Sequence, residues 1–213
     1  MSLESQMKNG LLFCENGHAS AEDKAYEEII RAKSTRGKDL AFAYNNVLPS
    51  DMAQRRIILD QLLGSLGADA VMEAPLHFSY GCNTHIGHHF YSNFNLVVVD
   101  DWRVQIGNYV MFGPNVTLSA TGHPVVGEYR RDGTQFTLPI TIGDDVWLGA
   151  NVVVLPGVTI GSDVVIGAGS IVTHDIPSHV VALGTPCRVL RPITERDKAF
   201  YGQNRPVNFG WRD

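Results

Sequence analysis

Between Ile142 and Ile176 the apolar positions fall into sixes. Ile142, Leu148, Val154, Ile160, Ile166 and Val172 are aliphatic and six residues apart, and glycine follows most of them, at Gly143, Gly149, Gly161 and Gly167. A second register of small or β-branched residues runs four positions on, at Val146, Val152, Val158, Val164 and Ser170. Ordinary antiparallel strands alternate every two residues and vary in length. A fixed short period instead marks a stacked β-solenoid, in which one aliphatic side chain per hexad points inward and a small residue follows where the chain bends. Three such hexads close one triangular coil.

Residues 1–70 carry helical signals and no hexads, and are expected to form a cap over the raw end of the solenoid. Ser20 with Asp23 resembles a capping box ahead of Ala25, Tyr26, Ile29 and Ile30. Pro49 and Ser50 open a second helix with Ile57, Ile58, Leu62, Leu63 and Leu66 on one face and Gly67 as its stop. The coil is expected over residues 71–192, with Ile86-Gly87 its first hexad. Ile106-Gly107, Phe112-Gly113 and Leu118 stand two residues out of register with Ile86, so an excursion is expected between Asn95 and Arg103. The period vanishes between His123 and Ile140, where prolines, glycines and charges mark residues 124–139 as a loop extruded from the coil. Residues 193–213 read as a short helix within Thr194–Tyr201 and a tail.

Composition narrows the classes. A chain of 213 residues with 44% hydrophobic content suits one solenoid with short appendages. Seventeen basic against 22 acidic residues give a net charge of −5, which argues for no nucleic-acid and no anionic-membrane partner. Cys14, Cys82 and Cys187 are odd in number and far apart, as reduced thiols of a cytoplasmic protein would be. The apolar run Leu11–Phe13 is too short for a signal peptide, and nothing reaches the length of a membrane span.

His123 stands where a strand leaves the coil and the loop begins. An imidazole titrates near pH 6.5 and is largely free base at neutrality, as proton abstraction from a hydroxyl requires, and Pro124 restricts its backbone. On position alone a catalytic and an idle histidine are equally good readings. The hexads resemble the hexapeptide-repeat acyltransferases, which implies an all-β solenoid of the left-handed parallel β-helix type. Chain physics alone favours right-handed crossovers, so the handedness rests on the resemblance. Asn115–Ser119 leading into Thr121-Gly122-His123-Pro124-Val125 resembles the sugar O-acetyltransferases of the galactoside and maltose family. So do Phe78–Gly81, Tyr91–Asn95, Val99–Asp101, Trp147–Gly149 and Gly184–Val189.

This resemblance implies transfer of acetyl from acetyl-CoA to a sugar hydroxyl, the primary 6-hydroxyl of a glucoside, galactoside or maltose, without a metal. It implies His123 as general base and Asn93 beside the reacting hydroxyl, with backbone N–H groups near Ala150 facing the thioester oxygen. Acceptor contacts are implied for Glu15, Ser79, Asn93, Asp101 and Gln135; Asp100 competes as a plain solvated turn residue. Cofactor contacts are implied for Trp147, Ala150, Ala168, Thr173, His174, Arg188 and Arg191. Ala150 stands where relatives often have Ser, and His174 where they often have Lys. The family implies a homotrimer with its sites between subunits.

Two rival functions follow from other weights. A transferase of the same fold could act on an antibiotic or on serine, because fold does not decide substrate. The cluster His85, His88 and His89 admits a zinc-dependent hydratase of the carbonic anhydrase type, although its spacing offers no obvious third ligand.

Overall fold

The computed structural model describes residues 1–210, and the end of the expected tail, 211–213, lies outside them. Short strands wind into a parallel β-solenoid with three faces. The first face stacks Ser65–Leu66, Thr84–Ile86, Val104–Ile106, Ile140–Ile142 and Thr159–Ile160. The second stacks Val71–Met72, Tyr91–Ser92, Met111–Phe112, Val146–Leu148, Val164–Ile166 and Val180–Leu183. The third stacks Leu76–Phe78, Leu96–Val99, Thr117–Ser119, Val153–Val154 and Ile171–Val172. The hexad aliphatics line the interior in columns, such as Ile86, Ile106, Ile142 and Ile160, each nearly or fully buried.

The coil begins earlier than its sequence pattern announced. The helix expected to stop at Gly67 spans Met52–Leu62, and Ser65–Leu66 already pairs in parallel with His85–Ile86. Gly67 is therefore a corner residue, and its N–H donates to the Ile86 carbonyl at 2.9 Å. Repeats 20 residues long run from Leu66 to Ile86 and from there to Ile106, and the repeat shortens to 18 between Ile142 and Ile160. The two extra residues of each long repeat sit between the third face and the first, over 79–83 and 99–103.

Three helices close the open end: α1 (Leu3–Lys8), α2 (Ala21–Asn45) and α3 (Met52–Leu62). Half of the expected capping box forms at α2, since Ser20 Oγ accepts from Asp23 N–H at 3.0 Å. The Asp23 carboxylate does not return to the Ser20 backbone; it accepts from Leu3 N–H at 2.7 Å and so ties α1 to α2. The first coil's unpaired backbone is saturated by side chains from the cap. Asn45 exchanges two 2.8 Å hydrogen bonds with Leu76, the Tyr44 hydroxyl donates to the Met72 carbonyl, and Arg56 donates to Leu66 and Gly67 carbonyls at 3.0 and 2.8 Å. At the far end Arg188–Pro192 folds back antiparallel on Val180–Leu183, ahead of α4 (Glu195–Ala199) and the hairpin Phe200–Tyr201 with Arg205–Pro206.

The three histidines are spent on this architecture. One corner carries a ladder in which each coil's side chain accepts an N–H from its neighbour: Ala68 to His88 Nδ1, His88 to Asn108, Asn108 to Asp144, Asp144 to Ser162 and Ser162 to Ser178. His89 stacks on Tyr109 with ring centroids 4.6 Å apart, and His85 Nδ1 meets Ser65 Oγ at 3.1 Å. Their partners differ.

Candidate active site

The extruded segment is a hairpin rather than a free loop. Thr121–Gly122 pairs antiparallel with Phe136–Thr137, and Gln135 exchanges backbone hydrogen bonds with Phe13 at 2.9 and 2.8 Å, adding the N-terminal segment as a third rung. Cys14 Sγ donates to the Asp132 carbonyl at 3.1 Å, and Asp132 accepts both the N–H and the hydroxyl of Thr134. These contacts fix the Thr134 carbonyl, which lies 2.9 Å from His123 Nδ1. A carbonyl can only accept, so Nδ1 carries the hydrogen, and in the neutral form of this exposed ring the lone pair falls on Nε2.

Beside the hairpin root the excursions 79–83 and 99–103 assemble the acidic groups. Asp101 is 8% exposed; burial raises its pKa, the neighbouring Thr121 and Ser79 hydroxyls pull it down, and Glu15 pushes it up. Thr121 Oγ1 itself is buried and makes no well-formed hydrogen bond. Glu15 Oε1 accepts from the Tyr80 phenol at 2.9 Å and from Gln135 Nε2 at 3.2 Å. Gln135, expected to read the acceptor, thus spends part of its amide on Glu15. Asp100 is not the solvated turn residue that competed for it in sequence: it is fully buried. Its Oδ1 accepts Tyr80 and Gly81 N–H at 2.9 and 3.1 Å, and Oδ2 accepts the Thr84 hydroxyl at 2.9 Å. Burial outweighs these bonds and pushes its pKa up to about 6.

The corner between the second and third faces carries Asn93, Ala150 and Ala168. Asn93 Oδ1 accepts the Phe94 N–H at 2.8 Å, which leaves Nδ2 as an unspent donor among the described residues. The structurally equivalent turn positions are Ala74, Phe94, Pro114, Ala150 and Ala168. Pro114 shows that the coil can dispense with an N–H in this column, and the Ala150 N–H makes no hydrogen bond among the described residues. Gly113 lies beneath it, and a Cβ there would stand 2.7 Å from the Ala150 nitrogen, so its absence keeps that donor accessible. Trp147, 54% exposed, continues a column of outward side chains with Tyr91, Met111 and Val165 on the second face.

The remaining predicted cofactor residues gather at the last coil. Thr173 Oγ1 and His174 Nδ1 are 2.8 Å apart, and His174 and Arg188 line one cavity of about 300 Å³. Arg191 is already engaged: its guanidinium forms a two-point ion pair with Asp197 at 2.8 and 2.7 Å, which holds the Asp197 carboxyl well below the usual range.

Most of the predicted residues therefore fall into two groups along the chain. His123, Glu15, Ser79, Asp101, Gln135, Thr173 and His174 follow the third face, whereas Asn93, Ala150 and Ala168 precede it. Leu96–Val99 alone, four residues at about 3.3 Å each, separates Asn93 from Asp101 by roughly 13 Å. Sequence reasoning missed Tyr80, and no spacing signal marks it.

A parallel prism built of hexads, with a histidine whose one nitrogen is committed at the root of an extruded hairpin, defines a hexapeptide-repeat transferase. Residues 139–174 match the bacterial transferase hexapeptide (six repeats) family, and residues 24–67 match the maltose acetyltransferase hexapeptide capping motif. The galactoside O-acetyltransferase of Escherichia coli (strain K12) is 53% identical over 180 residues, covering 84% of this chain and 89% of that protein. A solved galactoside acetyltransferase in complex with coenzyme A superposes with a TM-score of 0.87 at 44% identity, over 98% of this chain and 99% of that one. The maltose O-acetyltransferase from Clostridium difficile 630 does so with a TM-score of 0.83 at 36% identity, over 91% and 98%. The chain belongs to the galactoside and maltose O-acetyltransferase family and is a sugar O-acetyltransferase.

Proposed function

We propose that this chain moves the acetyl group of acetyl-CoA to the primary hydroxyl of a galactoside, glucoside or maltose, with His123 as general base. The observation that carries this reading is the 2.9 Å contact of His123 Nδ1 with the Thr134 carbonyl, which in the neutral form of this exposed ring puts the lone pair on Nε2. Nε2 takes the hydroxyl proton as the oxygen attacks the thioester carbon. The oxyanion that forms accepts from the Ala150 N–H, with Asn93 Nδ2 as a donor on the acceptor side. Collapse breaks the C–S bond, and the thiolate of CoA recovers the proton from Nε2. Asp101, Ser79 and Glu15 Oε2 accept from or donate to ring hydroxyls, and such polar readout rejects sugars that lack them. The cofactor lies along Trp147, Ala150 and Ala168, with Arg188 and Thr173–His174 toward its phosphates; the Asp197 pair makes Arg191 the weakest of these assignments.

The two groups of residues lie on opposite edges of the third face, too far apart to act on one acetyl group within a single chain. A threefold arrangement brings the Asn93–Ala150–Ala168 edge of one protomer against the His123–Asp101 edge of the next. This supports a homotrimer with three shared sites. The reduced thiols and the absence of any helix long and apolar enough to cross a membrane among the described residues fit a cytoplasmic enzyme. Incubation with acetyl-CoA and a panel of sugars, amino alcohols and serine, followed as free thiol release, tests the reading. Release with hexopyranosides and product acetylated at the primary hydroxyl are expected; release with serine or an antibiotic instead would overturn it.

A further inference from the structure

We infer that Tyr80 is a positioning residue that sets the Glu15 carboxylate for the acceptor. The inference rests on the acceptor reading of Glu15 given above. Glu15 lies on an irregular segment between α1 and α2, outside the coil that holds Ser79 and Asp101. The segment is tied to the hairpin by the Phe13–Gln135 pair and the Cys14–Asp132 contact, but the hairpin is itself an extrusion. The Tyr80 phenol is the side-chain hydrogen bond that runs from the coil to Glu15.

Tyr80 is held on every side. It is 4% exposed, its N–H and that of Gly81 are fixed by Asp100 Oδ1, and Asp100 Oδ2 is braced in turn by Thr84. Asn83 Nδ2 ties the two excursions by donating to the Asp100 carbonyl at 2.8 Å. Helix α2 presses on the same residue, since a Cβ at Gly37 would come within 2.2 Å of the Tyr80 carbonyl oxygen, and Ser34 Oγ donates to the Ser79 carbonyl at 3.0 Å. A rigid phenol therefore reaches an otherwise loosely held carboxylate. Its hydroxyl and Gln135 Nε2 both donate to Oε1, which directs Oε2 to substrate. Burial, with the charge of Glu15 next, pushes the phenol pKa far up, so the hydroxyl remains a donor throughout the working range.

Tyr80→Phe keeps the ring and removes the one donor, so the fold persists and the test is clean. Initial rates would be measured for Tyr80→Phe, Glu15→Ala and the double variant, varying acceptor and acetyl-CoA separately. Since a displacement of about 1 Å can cost 10²-fold, Tyr80→Phe is expected to lower kcat/KM for the acceptor by roughly 10–100-fold and leave the KM for acetyl-CoA unchanged. In the Glu15→Ala background the same substitution should cost nothing further, because it acts through Glu15. Multiplicative losses in the double variant, or a parallel rise in acetyl-CoA KM, would overturn the inference while leaving the acceptor site standing. A silent Glu15→Ala would overturn both.

Discussion

Asp100→Asn isolates the energetic cost of burying a carboxylate at the corner that carries Ser79, Tyr80 and Asp101. The folded chain raises this pKa from an ordinary 3.8 to about 6, chiefly by desolvation. At about 1.4 kcal/mol per pH unit, that gap is worth about 3 kcal/mol. The folded state binds the proton more tightly than the unfolded state, so this group's contribution is most favourable below pH 3.8 and is lost as pH rises through 6. Above that it is a constant burden, which the fold tolerates because the ionised carboxylate accepts three hydrogen bonds. Asparagine keeps the shape: its oxygen can accept both N–H groups, and its amide can donate to Thr84 Oγ1, which rotates to receive it. Urea denaturation at several pH values should therefore show the variant gaining on the wild type by about 3 kcal/mol between pH 3 and pH 7, and level above that. Asp101, Tyr80 and Cys82 titrate nearby in both proteins and largely cancel in the difference. Asp100→Ala should instead be destabilising at every pH, at about 1–3 kcal/mol for each buried donor left unpaired. A stability difference between Asp100→Asn and wild type that does not change with pH would refute the reasoning.

His123→Ala should lower kcat by about 10²–10⁴-fold with acetyl-CoA affinity unchanged, as measured by steady-state rates and by calorimetric titration of CoA. Asp101→Ala should depress activity on every hexopyranoside tested, since the proposal sets its carboxylate against the shared ring rather than an aglycone; selective loss on one glycoside would contradict that placement. Gly37→Ala in a helix interior would ordinarily stabilise by up to about 1 kcal/mol. Here the added Cβ meets the Tyr80 carbonyl at 2.2 Å, so a lower unfolding temperature and a raised acceptor KM are expected.

The coil was legible because one inward aliphatic per six residues is a direct print of its geometry, and the extruded segment was legible because the print stops at His123. The first coil escaped because Leu66 and Gly67 continue the helical spacing of Ile58 and Leu62, and only pairing with Ile86 tells a corner from a helix stop. The excursion was expected from a two-residue slip, but the same slip one coil earlier had no preceding hexad to be measured against. Asp100 and Asp101 look alike in sequence; the coil turns the first inward and leaves the second beside Ser79 and Thr121. Asn93 and Ala150 carry no periodic signal of chemistry, because what matters there is an amide and a backbone N–H left unspent by the corner. No sequence pattern pairs Arg191, implied as a cofactor contact, with Asp197, and only the folded end of the chain reveals the competing ion pair.

The division of the site between two edges of the prism is tested most directly by complementation. Asn93→Ala and His123→Ala proteins, each nearly inactive, would be unfolded together and refolded as a 1:1 mixture. In a closed threefold ring with random assortment, roughly a quarter of the interfaces join an intact Asn93 edge to an intact His123 edge. Recovery of about that fraction of wild-type activity is predicted, and a mixture no more active than its two components would contradict a site shared between neighbouring chains.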